Sequence, residues 1–352
     1  MSNETTGNDP PSGSSIRARL VALDEERAVT HAKITLVIHL VKNVLDPSVT
    51  VFADAPALRE LRVYSNSSTP SPFLLDNIRI PWSQITHFFL RGVVANALEF
   101  IKQMSALMVL DLPLAAAAYL PVHPAEPILL SHLITLRCAS TSGRDDSLQL
   151  FEHLQCPVLE ALELRTPVNT DTLLVFLRKY GTGLRSLTLS DFSVFPHGLS
   201  ILSTVPSITT LRLENCKHAA SLSFVIRSLA QPTAPTGALL PSLLNLEVTV
   251  ELPEIEILPD AVMKLLAKRK AAAGTTAPLS RFSFAVVEQY SHGRHWNDRL
   301  STEQLGRLCE KGRELGCKID VRAPRLLRGD SASDWVCTKL GSGRIVGPNP
   351  VF

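Results

Sequence analysis

Two histidines three residues apart, His292 and His295 in SHGRHW, have a spacing found among metal ligands. No set of Cys or acidic partners accompanies them, so the segment reads as a loop. The six cysteines, Cys138, Cys156, Cys216, Cys309, Cys317 and Cys337, are scattered without a C-x-x-C pair. Such usage points to reduced thiols and an intracellular setting instead of a disulfide framework. Cys156 precedes Pro157 at the start of an apolar stretch, where a packed, buried thiol is expected over a reactive one. Nucleophilic and phosphate chemistry find no motif: there is no G-x-S-x-G elbow, Walker loop or Rossmann fingerprint, and no helix follows the glycines of GSGRIVG. KLLAKRKAAAG collects Lys264, Lys268, Arg269 and Lys270, a run that could serve as a nuclear localisation patch. The favoured reading is the solvated C-terminal end of a helix, where cations complement the dipole. The expectation is a chain that is not an enzyme and takes no cofactor and no metal.

What remains is the chemistry of recognition. Arg and aromatic side chains are enriched at protein interfaces, and here they recur at one position of a repeating template. CPVLEALEL, from Cys156, carries Leu159, Leu162 and Leu164 at the L-x-x-L-x-L spacing that opens a leucine-rich repeat. GTGLRSLTL repeats it with Leu184, Leu187 and Leu189, and VPSITTLRL with Ile208, Leu211 and Leu213. Starts fall at Leu58, Ile85, Leu107, Leu133, Leu159, Leu184, Ile208, Leu243 and Leu279, at spacings of 27, 22, 26, 26, 25, 24, 35 and 36 residues. All but the last two lie within the usual range of about 20 to 29. Those two carry insertions, QPTAPTGALLP and the segment from Glu251 to Pro278.

In a strand of period two, leucines at the fourth and sixth template positions turn inward and the residue between them turns out. That outward column reads Arg62, Phe89, Asp111, Arg137, Glu163, Thr188, Arg212, Glu247 and Ser283. Tyr64, Arg91, Arg165 and Glu214 flank it. The candidate partner-binding residues on the concave face are Arg62, Tyr64, Phe89, Arg91, Arg137, Arg165, Arg212 and Glu214. The competing reading is a set of ordinary solvated strand positions with cross-strand Arg and Glu pairs.

Helical spacing lies between the strands. DTLLVFLRKYG puts Leu173, Leu174 and Leu177 on one face, with Thr170 or Asp171 as N-cap and a stop at Gly181. SLSFVIRSLA does the same with Leu222, Val225, Ile226 and Leu229, and ALEFIKQM and the run from Pro196 to Val205 are shorter versions. KITLVIHL reads as a strand and a degenerate first rung, and Ile16 to Val29 as a short helix. Near the C-terminus, SRFSFAVVEQY reads as a last strand, followed by a capping helix and strand over RLSTEQLGRLCEKGRELGCKIDV. Ser301 with Gln304 forms a capping-box pair, and Gly316 a helix stop. The Asn or Cys of regular repeats appears only as Asn66 and Cys216, which predicts an irregular solenoid.

The expected fold is thus α/β: an irregular leucine-rich-repeat solenoid, a curved parallel sheet with helices on its convex side. Residues 1–15 read as a disordered tail, 16–323 as the solenoid with its helix-strand cap, and 324–352 as a loosely ordered tail. A hydrophobic content of 45% suffices for a continuous core. The balance of 35 basic against 33 acidic residues leaves no footprint for nucleic acid. The longest apolar stretch, around Leu107 to Val122, is broken by Asp111, Pro113 and Pro121, so no membrane span is expected. The polar N-terminus has no apolar signal-peptide core, and a cytoplasmic or nuclear location is expected.

Taken together, PALRELRVYS, IPWSQITHFFL, CPVLEALEL, TLLVFLRKYGTGLRSLTLS and LGRLCEKGRELGCKIDV resemble the leucine-rich-repeat region of the F-box-like proteins of mushroom-forming fungi, over residues 33–321. The resemblance implies a receptor that presents protein substrates to an SCF-type, cullin-RING ubiquitin ligase, with the ligase adaptor as a second partner. The family's Leu-Pro-Pro-Glu motif, which opens its F-box, has no counterpart before Ile34, so a recognisable F-box is not expected here. The alternative is a stand-alone interaction scaffold that holds a protein on its concave face or inserted loops.

Overall fold

The computed structural model describes residues 19–21, 34–40, 57–65, 80–91, 97–113, 127–139, 148–165, 170–190, 197–216, 219–233, 237–251, 258–287 and 302–322. Strands β1 (Arg19–Val21), β2 (Ile34–Leu40), β3 (Leu58–Ser65) and β4 (His87–Arg91) lead to helix α1 (Ala97–Ile101) and strand β5 (Val109–Pro113). Next come β6 (Ile128–Leu129), β7 (Thr135–Ala139), α2 (Leu148–His153), β8 (Leu154–Gln155) and β9 (Ala161–Leu164). The middle holds α3 (Thr170–Tyr180), β10 (Ser186–Ser190), α4 (His197–Ser203), β11 (Thr210–Cys216) and α5 (Ala219–Leu229). Two short strands, β12 (Pro232–Thr233) and β13 (Gly237–Ala238), precede β14 (Asn245–Glu251) and α6 (Leu258–Ala271). The described chain closes with β15 (Arg281–Val287), α7 (Thr302–Leu315) and β16 (Lys318–Arg322).

One 12-stranded sheet runs β1-β2-β3-β4-β5-β7-β9-β10-β11-β14-β15-β16. Its pairings are parallel except that of β1 with β2. Sequential parallel rungs, most of them separated by a described helix, give the expected α/β solenoid. Every expected start from Leu58 to Leu279 is buried, as are the template leucines that follow, and the helix residues Phe100, Leu177, Ile226 and Leu265 share their core. Each unit therefore hides against its neighbours a face that it could not hide alone.

Two backbone ladders explain why the template repeats. A turn closes onto most starts: the amides of Leu107, Leu133, Leu159, Leu184, Ile208 and Leu243 donate to the carbonyls of Met104, Leu130, Cys156, Gly181, Val205 and Leu240. Those turn residues are buried too, so the template extends three residues further back than L-x-x-L-x-L shows. One residue after each start, a second ladder joins rung to rung, with Met108 donating to Thr86, Ile134 to Met108, Glu160 to Ile134, Arg185 to Glu160 and Thr209 to Arg185, at 2.8–2.9 Å. This satisfies backbone groups in the bends as the sheet satisfies them in the strands.

The structure changes several local expectations. Arg19–Val21 is a strand antiparallel to β2 and not part of a helix, because pairing to a sheet edge outweighs weak helix propensity. Thr170 and Asp171 occupy the first turn of α3 rather than its cap. Much of the insertion from Glu251 to Pro278 is α6, a longer version of the repeat's own helix. The insertion after Gln231 holds the small β12–β13 pair. β16 pairs in parallel with β15, so the terminal strand is a further rung that also caps the array, and Gly316 stops α7 with φ 76°. Of the ladder residues at the ninth position, Cys216 is buried at the end of β11, where the register with β14 shifts. Asn66, the tails 1–15 and 324–352 and the Ser301 cap lie outside the described residues. Among those described, no helix is long and apolar enough to cross a membrane.

Candidate functional site

Parallel pairing without slippage carries the outward column from rung to rung. Arg62 faces Phe89, Phe89 faces Asp111, Asp111 faces Arg137 and Arg137 faces Glu163. Glu163 then faces Thr188, Thr188 faces Arg212, Arg212 faces Glu247 and Glu247 faces Ser283. The expected neighbours are thus register partners, and the column continues from Ser283 to Asp320 on β16. Asp320 was not among the expected residues because its strand reads in sequence as a cap.

The column is not uniformly open. Thr188 and Ser283 are each only 8% exposed, because short side chains sink between longer neighbours on adjacent strands. Ser190 is also buried, and its hydroxyl donates to Glu214 Oε2 at 2.9 Å. The accessible chemistry gathers into two patches on either side of Thr188.

On the N-terminal side, Arg62 stacks 4.8 Å from the centre of the Phe89 ring, and Arg91 lies 6.0 Å from the centre of the Tyr64 ring. Cation–π packing of this kind holds a guanidinium flat while leaving its edge free to donate. Arg62 Nε donates to Glu60 Oε1 at 2.6 Å, and that hydrogen bond to a nearly buried carboxylate raises the arginine's pKa above its usual value. Arg165 Nε donates to Glu163 Oε1 at 2.7 Å, which raises its pKa in the same way. Arg137 Nε lies 3.0 Å from Glu163 Oε2, within ion-pair distance, but makes no hydrogen bond there. Asp111 sits among Arg165, Arg137 and Arg91, yet burial raises its pKa because the loss of water outweighs the attraction of the arginines.

The other patch is more acidic. Arg212 sends both Nε, at 2.7 Å, and Nη2, at 2.6 Å, to Glu247 Oε2, and its Nη1 lies 3.8 Å from Glu214 Oε1. Further along, Arg281 Nη2 pairs with Asp320 Oδ2 at 2.7 Å. The cross-strand pairing that competed with an interface is therefore present at Arg137, Arg212 and Arg281. Such exposed pairs contribute only about 0–1 kcal/mol each.

Arg269 departs from both readings of the basic run. Lys264, Lys268 and Lys270 are exposed, but Arg269 is only 2% exposed. Its Nη2 donates to the carbonyls of Leu240 at 2.9 Å, Pro241 at 3.2 Å and Leu243 at 3.4 Å, and its Nε to Ala277 at 3.1 Å. Burial lowers its pKa to about 10, so it stays charged at neutral pH on carbonyl dipoles alone. No sequence pattern marks it, since its partners are backbone atoms up to 29 residues away.

Cys138, Cys156 and Cys317 are buried, and burial pushes their thiols up, Cys156 to about 12 and Cys317 to about 11. Thiols so placed stay protonated and pack as small apolar groups. His292 and His295 lie outside the described residues. Among the described residues no three His, Cys, Asp or Glu are grouped to hold a metal ion.

No protein-family model matches this sequence, and no curated protein matches it. Among solved structures, the chain is similar to a crystallised Bacteroides fragilis protein at 13% identity and a TM-score of 0.37, over 75% of this chain and 66%, just under two thirds, of that one.

Proposed function

We propose that this chain is a non-catalytic protein-recognition module that holds its partner on the outward face of the solenoid. The observation that carries this reading is the unslipped register from Arg62 to Glu247, which aligns arginine and aromatic side chains across successive rungs into two accessible patches on one face. Residues far apart in sequence thus become neighbours on a rigid frame, as a recognition site requires. By its resemblance to the repeats of fungal F-box-like proteins, the bound partner is a substrate delivered to a cullin-RING ubiquitin ligase in the cytoplasm or nucleus. The same face would serve a stand-alone scaffold equally well.

The experiment is affinity capture with the tagged full chain and with Phe89→Ala and Arg212→Glu variants of unchanged melting temperature. A reproducible partner set that the variants lose supports recognition through this face, and one that they retain overturns it. Recovery of the cullin and its adaptor with the wild-type chain supports the receptor role. Partners recovered without them support the free-standing scaffold.

A further inference from the structure

The charges of the outward face are unevenly shared. Arg91, Arg137 and Arg165 oppose Asp111 and Glu163, whereas beyond Thr188 a single Arg212 meets both Glu214 and Glu247. The first patch therefore carries an excess cation, and the part of the second on β11 and β14 an excess anion, before Arg281 and Lys318 answer Asp320 on β15 and β16. The excess resides in Arg91. Arg62, Arg137, Arg165, Arg212 and Arg281 each lie within 4 Å of a carboxylate, but Arg91 has none at that distance among the described residues. It is exposed and lies 6.0 Å from the centre of the Tyr64 ring, at the outer reach of a cation–π contact, so its donors are open to a ligand.

We propose that the patch formed by β3, β4, β5, β7 and β9 binds an acidic, extended protein segment, with a ligand carboxylate on Arg91 and ligand backbone or apolar groups against Tyr64 and Phe89. This rests on the recognition reading and adds the chemistry of the partner. The planar guanidinium fork matches a carboxylate bidentately, and the neighbouring Tyr64 ring limits its freedom. From β4 to β9 there are three strand spacings, about 14 Å at the usual strand separation. That distance accommodates about four residues of extended peptide running across the strands. Asp111, the register partner of Arg137, is the carboxylate with which a ligand carboxylate would compete for the field of Arg91, Arg137 and Arg165. The acidic patch around Glu247 repels such a segment, which sets where it stops.

Two measurements on the purified full chain test this. In the first, random peptides displayed on phage are selected against the wild-type chain and then counter-screened on Arg91→Glu and on Phe89→Ala. In the second, a fluorescein-labelled peptide rich in Glu is titrated by anisotropy beside its Gln counterpart and a single-stranded oligonucleotide. The expected result is enrichment of Asp and Glu among selected peptides, and binding of the Glu probe over both controls. Affinity should fall about tenfold or more in Arg91→Glu, rise in Asp111→Asn and weaken with added salt. Selected peptides without acidic enrichment that still depend on Phe89 would overturn the acidic partner and leave recognition standing. Selection indifferent to Arg91 and Phe89 would overturn both. Oligonucleotide binding as tight as that of the Glu probe would overturn the proposal, because any polyanion would then suffice.

Discussion

Arg269 Nη2 donates to the carbonyl of Leu240 at 2.9 Å, and Leu240 is, among the described residues, the one non-glycine residue with left-handed backbone, at φ 48°. A side chain there costs about 1–2 kcal/mol. The buried guanidinium holds the bend by taking carbonyls at Leu240, Pro241, Leu243 and Ala277 at once. Its site joins the end of α6 to both turns that lead into β14 and β15. Arg269→Met should destabilise the chain by about 3 kcal/mol, since buried carbonyls lose their donor. Arg269→Lys should recover only part of this, because an ammonium cannot reproduce the planar fork. Urea denaturation of the three proteins measures both.

Gly312 on α7 is needed for a close approach. A Cβ there would lie 2.9 Å from Ile319 Cδ1 and 3.0 Å from the Cys317 carbonyl, whose backbone cannot step aside. Gly312→Ala should push α7 off β16 and cost about 1–3 kcal/mol. Hydrogen exchange should show the loss confined to the last rungs, because a solenoid passes strain only between neighbours.

The Arg212–Glu247 pair should contribute to pattern more than to stability. A double-mutant cycle with Arg212→Ala and Glu247→Ala should give a coupling below about 1 kcal/mol, shrinking with salt. Its partners are 46% and 25% exposed, so water competes for both. A coupling of several kcal/mol would show the face to be much drier than its exposure indicates.

Asp111 should make stability depend on pH. Its folded pKa is raised, chiefly by burial, so the ionised form weighs against the folded state. Stability from this group is fully present below the unfolded carboxylate value of about 4 and is lost as pH rises through the folded value. Asp111→Asn should therefore melt higher than the wild type at pH 7, with the gap closing on acidification. Paired melting curves across that range check the sign.

The packed thiols predict an alkaline limit. Cys156 holds its proton up to about 12 when folded, whereas an unfolded thiol ionises near about 8.5. Stability present below the lower value is lost across that window as the unfolded state gains thiolate. In the native chain Cys138, Cys156 and Cys317 should resist an aromatic disulfide reagent at pH 8 and react once urea unfolds it. Rapid reaction of Cys156 in the native state would show that its rung opens locally.

The rungs are legible in the linear pattern. L-x-x-L-x-L at near-regular spacing has one economical solution, a strand with alternate leucines turned in, and the period of two then assigns Arg62, Phe89, Asp111, Arg137 and Glu163 to one outward column. Residues 16–29 carried no such period, and there edge pairing at Arg19–Val21 prevailed over a weak helical tendency. Which charges meet, which are covered and which is left over emerges in the folded chain. Glu163 takes both Arg137 and Arg165, Thr188 sinks between its neighbours, Arg91 keeps no carboxylate within 4 Å among the described residues, and Arg269 leaves the solvated end of its helix for backbone carbonyls. The physical reason is that these outcomes depend on side-chain reach across strands and on desolvation, and both are properties of neighbours that a linear pattern does not contain.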